Sequence, residues 1–175
     1  MESGGTGKTL YRKKTRELLV RIVFQMTSTG DFSDKALNDF LSDTSLYLGD
    51  VRGESPPGCI FDEKTGESPD MAYLNWAFVC VRENLSEIDM TLQRASEGWA
   101  VQRMATTELA ILRVAAAEIM YIDGIDAGVS VNEAVLLAKR YGSEKSAAFV
   151  NGILGTVARL NSVDQNLNSD GVVGT

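Results

Sequence analysis

Between Thr106 and Ile122 the chain offers almost no polar position: Leu109, Ile111, Leu112, Val114, Ala115, Ala116, Ala117, Ile119 and Met120 leave Arg113 and Glu118 as the only charges between Ala110 and Met120. A helix without a polar face has to be covered on every side, so this stretch predicts the central rod of a helical domain. Around it the pattern is helical again. From Leu10 to Thr27, Tyr11, Thr15, Leu18, Leu19, Ile22, Val23 and Met26 fall on one broad stripe at the 3.6-residue period, with Lys13, Glu17, Val20 and Phe24 on a second flank. Residues 31–43 predict a short helix capped by Ser33, with Ala36, Leu37, Phe40 and Leu41 inward.

The period is lost over residues 44–69, where Gly49, Gly53, Pro56, Pro57, Gly58, Gly66 and Pro69 are scattered among acids, and a long acidic loop is expected. Ser68-Pro69-Asp70 reads as a helix start, with Ser68 at the cap and proline at the first position. The helix to Glu83 presents Tyr73, Leu74, Trp76, Ala77, Val79, Cys80 and Val81; Ser86 and Asp89 open another, ended by Gly98. After the rod and the turn at 123–128, Ser130-x-x-Glu133 has the spacing of a capping box, so that Glu133 has a structural task, and its helix closes at Gly142. A last helix is expected over 144–160, with Val150, Ile153, Leu154, Val157 and Leu160 inward and Phe149 at the margin of that face. Gly152 in its middle implies close approach of a crossing helix or a ligand. Residues 1–9 are expected to be a flexible arm and residues 161–175 a disordered tail, leaving 10–160 as one helical domain.

Composition narrows the function. Histidine is absent, which removes the commonest general base and metal ligand and argues against an enzyme. Cys59 and Cys80 have neither metal-site nor disulfide spacing, and no apolar stretch is long enough for a bilayer, so a cytoplasmic protein with no membrane association and no cofactor is expected. Gly7-Lys8-Thr9 ends like a phosphate loop, but Glu2 stands where its first glycine belongs and no strand precedes it. Charge is divided unevenly: residues 1–30 carry six lysines and arginines against Glu2 and Glu17, a balance of +4, while the rest carries −11 of the overall −7. A basic head on an acidic body points to a polyanion at one end and a basic protein at the other. Phe24 on the flank of Lys13, below the run Arg12-Lys13-Lys14, is what single-stranded nucleic acid uses, cations for phosphate and a ring for a base; a ring packed on a neighbouring helix under a solvated basic run is the alternative.

Phe149-Val150-Asn151-Gly152-Ile153-Leu154, preceded by Val131-Asn132-Glu133-Ala134-Val135, Leu137-Ala138-Lys139 and Glu108-x-x-Ile111-Leu112-Arg113 with Glu118, resembles the C-terminal signature of the NusB transcription antitermination factors. Arg12-Lys13-Lys14-Thr15-Arg16-Glu17 followed by Phe24 is similar to the family's arginine-rich R-x-R-E run and the aromatic that ends its first helix. The resemblance spans about Leu10 to Leu160, with 44–69 unmatched. It implies an all-α fold of about seven helices in two packed subdomains and a protein that is not an enzyme. It also implies binding to boxA-type RNA of nascent ribosomal RNA transcripts, together with the small-subunit ribosomal protein NusE in the RNA polymerase antitermination complex. The RNA-binding residues it implies are Arg12, Lys13, Lys14, Arg16, Phe24, Lys145 and Phe149. Asp126 stands at a family proline, Ala117 at a family aromatic, and lysines replace arginines at 13 and 14, keeping charge without the bidentate grip on phosphate. The second class of function left open is a helical protein-interaction module of the same fold that binds no RNA.

Overall fold

The computed structural model describes residues 5–42 and 69–170, with side chains over 12–42 and 69–166. Among these residues there are seven α-helices, one short 3-10 turn at Val101–Arg103, and no strand. In chain order the helices are α1 (Gly5–Thr29), α2 (Asp34–Ser42), α3 (Met71–Glu83), α4 (Leu85–Ala95), α5 (Thr106–Tyr121), α6 (Ala127–Tyr141) and α7 (Ser146–Asp170). The acidic loop expected at 44–69 lies outside the described residues except for Pro69.

The rod is α5. Its residues from Leu109 to Ile119 are buried throughout, Arg113 and Glu118 included, because five helices, α1, α3, α4, α6 and α7, pack on it. α1 carries α2 and α3 with it, α4 and α6 both lie on α7, and α3 meets α4, so two groups of helices share one continuous core. The stripe predicted on α1 is that core: Leu18, Leu19, Ile22 and Val23 are fully covered and Met26 is 1% exposed. α1 runs antiparallel to α5, with Arg16 opposite Glu118 and Thr27 opposite Arg113. The Arg113 fork spans Asp89 of α4, at 2.9 and 2.8 Å, while its third nitrogen donates to Thr27 Oγ1 at 2.8 Å, so one guanidinium ties three helices. No described helix is long and apolar enough to cross a membrane.

Helix ends differ from the sequence reading in five places. α1 begins at Gly5, so Gly7-Lys8-Thr9, expected in a flexible arm, is helical. α3 is capped by Asp70, whose side chain accepts from the Tyr73 N–H; Ser68, expected at the cap, lies outside the described residues. α4 begins at Leu85 after Asn84, so Ser86 lies inside it and does not open it. α6 is capped by Asp126, which accepts from the Gly128 N–H at 2.7 Å. Ser130 therefore lies inside the helix, fully buried with its hydroxyl oxygen unpartnered, and forms no capping box. α7 continues past Leu160 to Asp170, tied to the rod by Asn161 Nδ2 donating to the Ile119 carbonyl at 3.0 Å, so most of the expected disordered tail is helix.

Candidate nucleic-acid interface

The basic run sits on the first half of α1, and the core stripe decides which of its members reach solvent. Arg12 and Lys13 are exposed and Lys14 is half-buried. Arg16 is not part of this surface. It lies one turn before the buried Leu19 and Val20, is 4% exposed, and its Nε donates to Glu118 Oε1 at 2.8 Å, with Nη1 4.0 Å from Glu133 Oε2. Burial would press its pKa down, but the charge of Glu118, the hydrogen bond to it and the charge of Glu133 hold it above its ordinary value, so the guanidinium stays charged inside the fold. Tyr73 also donates its hydroxyl to Glu118 Oε1. The expectation that Arg16 contacts RNA gives way to an ion pair joining α1, α3 and α5. Glu133, read from the sequence as a cap, belongs to the same charged group.

Lys13 and Phe24 fall about 20° apart around the α1 axis, on one stripe. Phe24 keeps 40% of its surface in solvent, whereas every other large apolar residue of α1 between Leu18 and Met26 is at 5% or less. Its ring is held by the helix and left open on one side. Between Lys13 and Phe24 on the same stripe lies Glu17, the one acid of the basic segment 12–21. Its carboxylate is turned to internal use: Arg140 Nη1 donates to it at 3.0 Å and the Tyr141 hydroxyl donates to its other oxygen. Burial, then the hydrogen bond and charge of Glu17, push the Tyr141 phenol up to about 12.

That contact pins the end of α6 to the α1 stripe. The chain then turns at Gly142, where an added Cβ would meet Ser146 at 2.6 Å and the Ala138 carbonyl at 2.7 Å, so the close turn into α7 requires glycine. Ser146 Oγ accepts from the Ser143 N–H at 2.8 Å and donates to Glu108 Oε1 at 2.6 Å, fixing the start of α7 on the start of the rod. Lys145 is exposed after this turn, immediately before Ser146. Phe149 follows one turn later, half-buried against the core and therefore neither free nor entombed. No described atom lies within 4 Å of where a Gly152 Cβ would stand, so none of the described helices crosses there, and open backbone is left next to Phe149.

Four of the seven residues expected at an RNA face thus carry exposed or half-exposed charge (Arg12, Lys13, Lys14, Lys145), two are partly exposed rings, and one is internal. The sequence reading missed Glu17, Arg140, Tyr141 and Asp70, which hold the site together. A lone acid inside a basic run was the available signal for Glu17, since an uncompensated carboxylate there would oppose phosphate.

A NusB family model matches residues 13–159. The transcription antitermination protein NusB of Clostridium botulinum (strain Hall) is 36% identical over 151 residues, covering 83% of this chain and 98% of its own. That of Acetivibrio thermocellus is 34% identical over 161 residues, covering 91% and 97%. Among solved structures, T. maritima NusB superposes with a TM-score of 0.66 at 27% identity over 90% of this chain and 96% of its own. The antitermination factors NusB and NusE in complex with dsRNA include a chain of the same fold, with TM-score 0.65 at 19% identity, over 86% of this chain and 97% of that one.

Proposed function

Because the chain belongs to the NusB family, we propose that it is an RNA-binding transcription antitermination factor whose RNA face is built by α1 and the first turns of α7. The ligand is single-stranded RNA of the boxA type. The protein partner is a basic ribosomal protein of the NusE kind, in an assembly with RNA polymerase, and no step of its work is catalytic. The observation that carries this is Phe24: a ring 40% exposed on a helix whose other large apolar residues are covered, on the stripe of Lys13. Arg12, Lys13, Lys14 and Lys145 supply the phosphate contacts, Phe24 and Phe149 the stacking surfaces, and Arg16 the internal pair that holds α1 in place. With Glu17 engaged by Arg140 and Tyr141, the stripe opposes phosphate with no uncompensated acid. The fold shared with the NusB chain of the NusB–NusE–dsRNA complex supports the reading at the level of architecture.

A protein-interaction module without RNA binding is the second reading. It is favoured by Trp76 and Val79, large apolar side chains 47% and 40% exposed on α3. Salt separates the two. Several phosphate contacts predict that affinity for a short single-stranded transcript leader falls steeply with ionic strength, by a log–log slope of about −0.7 per contact. In a gel-shift titration the Lys13→Glu/Lys14→Glu variant is expected to bind at least about tenfold more weakly, since two cations become anions. Equal binding by wild type and variant excludes the RNA face as described.

A further inference from the structure

Asp70 does three things at once. Its N–H donates to Thr15 Oγ1 at 2.9 Å, its Oδ1 accepts from the Tyr73 N–H at 3.0 Å to cap α3, and its Oδ2 lies 3.4 Å from Arg12 Nη2. The first two contacts are satisfied by any residue with a short acceptor side chain. The third depends on charge and is directed at the first cation of the basic run. Arg12 has a second hold, since its guanidinium lies over the Tyr73 ring, 5.0 Å from the centroid. The side chains of Arg12 and Asp70 keep 44% and 33% of their surface in solvent, so a ligand reaches the pair.

We propose that Asp70 is an affinity-setting residue of the RNA face: its carboxylate competes with an RNA phosphate for Arg12, while Tyr73 holds the guanidinium in place for either. This rests on the RNA reading of α1 given above. The pair is long and partly exposed, and such pairs are weak, so a phosphate oxyanion with neighbouring cations displaces the carboxylate at a modest cost in affinity. Binding is then a swap of one anion for another at Arg12. The released carboxylate remains near the phosphate and keeps the complex weaker and more exchangeable than the cation count alone implies.

Asparagine tests this cleanly, because it ranks with aspartate as a helix cap and removes only the charge. Asp70→Ser provides a second neutral cap. The measurement is fluorescence anisotropy of a labelled short single-stranded RNA leader with the full chain, repeated over a range of salt concentrations, with thermal melts showing unaltered folding. Asp70→Asn and Asp70→Ser are expected to bind about two- to fivefold more tightly near ~0.1 M salt, the range that an exposed ion pair is worth. Their log–log salt slope is expected to stay close to that of wild type, because Arg12 meets the same phosphate in all three proteins. In an Arg12→Gln background the gain from Asp70→Asn should vanish. A gain that persists there belongs to the general field of the protein and overturns the proposal, as does no gain in either neutral variant. If wild type and all variants fail to bind RNA, the RNA reading itself falls, and this inference with it.

Discussion

Arg16 and Glu118, 102 positions apart, form an ion pair at 2.8 Å inside the core, with Glu118 fully buried and Tyr73 donating to the same carboxylate oxygen. A buried pair of this kind is costly to break because the surviving charge is left without its partner. Arg16→Met is therefore expected to destabilise the fold by about 3–5 kcal/mol in urea unfolding. Arg16→Met/Glu118→Gln should recover a large part of that loss, since glutamine carries no charge and still accepts from Tyr73. RNA affinity per folded molecule should be the same in the double variant as in wild type. A double variant that folds normally but loses RNA binding would return Arg16 to the RNA face.

Much of this fold was legible because it depends on local period. The spacing of Leu18, Ile22 and Met26 put them on one side of a helix, and burying that side is the largest favourable term available to the chain. The rod was legible for the opposite reason, since a segment with no polar face has only one stable environment. What depends on distant partners was not. Nothing near Arg16 in the chain announces Glu118, so the family resemblance, which counts Arg16 with the basic run, implies a place for it at the RNA face. The polar composition after Leu160 suggested an end to α7, but the Asn161 amide finds the Ile119 carbonyl and the helix goes on. Ser130 and Glu133 have capping-box spacing, yet Asp126 starts the helix a turn earlier and packing takes Ser130 inside. At the candidate site, Phe24 and Lys13 were visible as one stripe, while the clamp of Arg140 and Tyr141 on Glu17 required the folded chain.

The two readings of the α6 start give opposite results on mutation. Asp126 caps the helix, so Asp126→Ala is expected to lower stability by about 1 kcal/mol. Ser130 is fully buried with its hydroxyl oxygen unpartnered, so Ser130→Ala removes a desolvated polar group of similar size and is expected to be neutral or to stabilise by up to about 1 kcal/mol. Paired urea titrations decide the matter. A loss on Ser130→Ala with no loss on Asp126→Ala would restore the capping box.

The clamp on Glu17 has a pH signature. The Tyr141 phenol is pushed up to about 12, first by burial and then by Glu17, against about 10 for an unfolded tyrosine. The fold therefore favours the neutral phenol. Its contribution is fully present below about pH 10 and is lost as pH rises through the interval from about 10 to 12. Tyr141→Phe is expected to cost about 1 kcal/mol at pH 7, where it removes one hydrogen bond to Glu17. The difference in urea midpoint between wild type and variant should close over the alkaline interval. A difference that stays constant to about pH 12 would show that the phenol makes no such bond.

The exposed ring of Phe24 allows its packing and its stacking to be separated. Phe24 is 40% exposed, so leucine fills the covered part of its volume and loses chiefly the open face. Base stacking on an aromatic side chain contributes about 1–3 kcal/mol per base. Phe24→Leu is accordingly expected to weaken binding of a short single-stranded RNA by about five- to hundredfold, with the melting temperature little changed and the salt slope unaltered, because no phosphate contact is removed. Phe24→Tyr and Phe24→Trp keep a π-face and should retain most of the affinity. Phe149→Leu at the half-buried ring should lose less affinity and more stability, in proportion to how much of that side chain is already committed to the core. If Phe24→Leu binds as tightly as wild type while Lys13→Glu/Lys14→Glu does not, the basic run holds RNA by charge alone and the ring is only a surface residue.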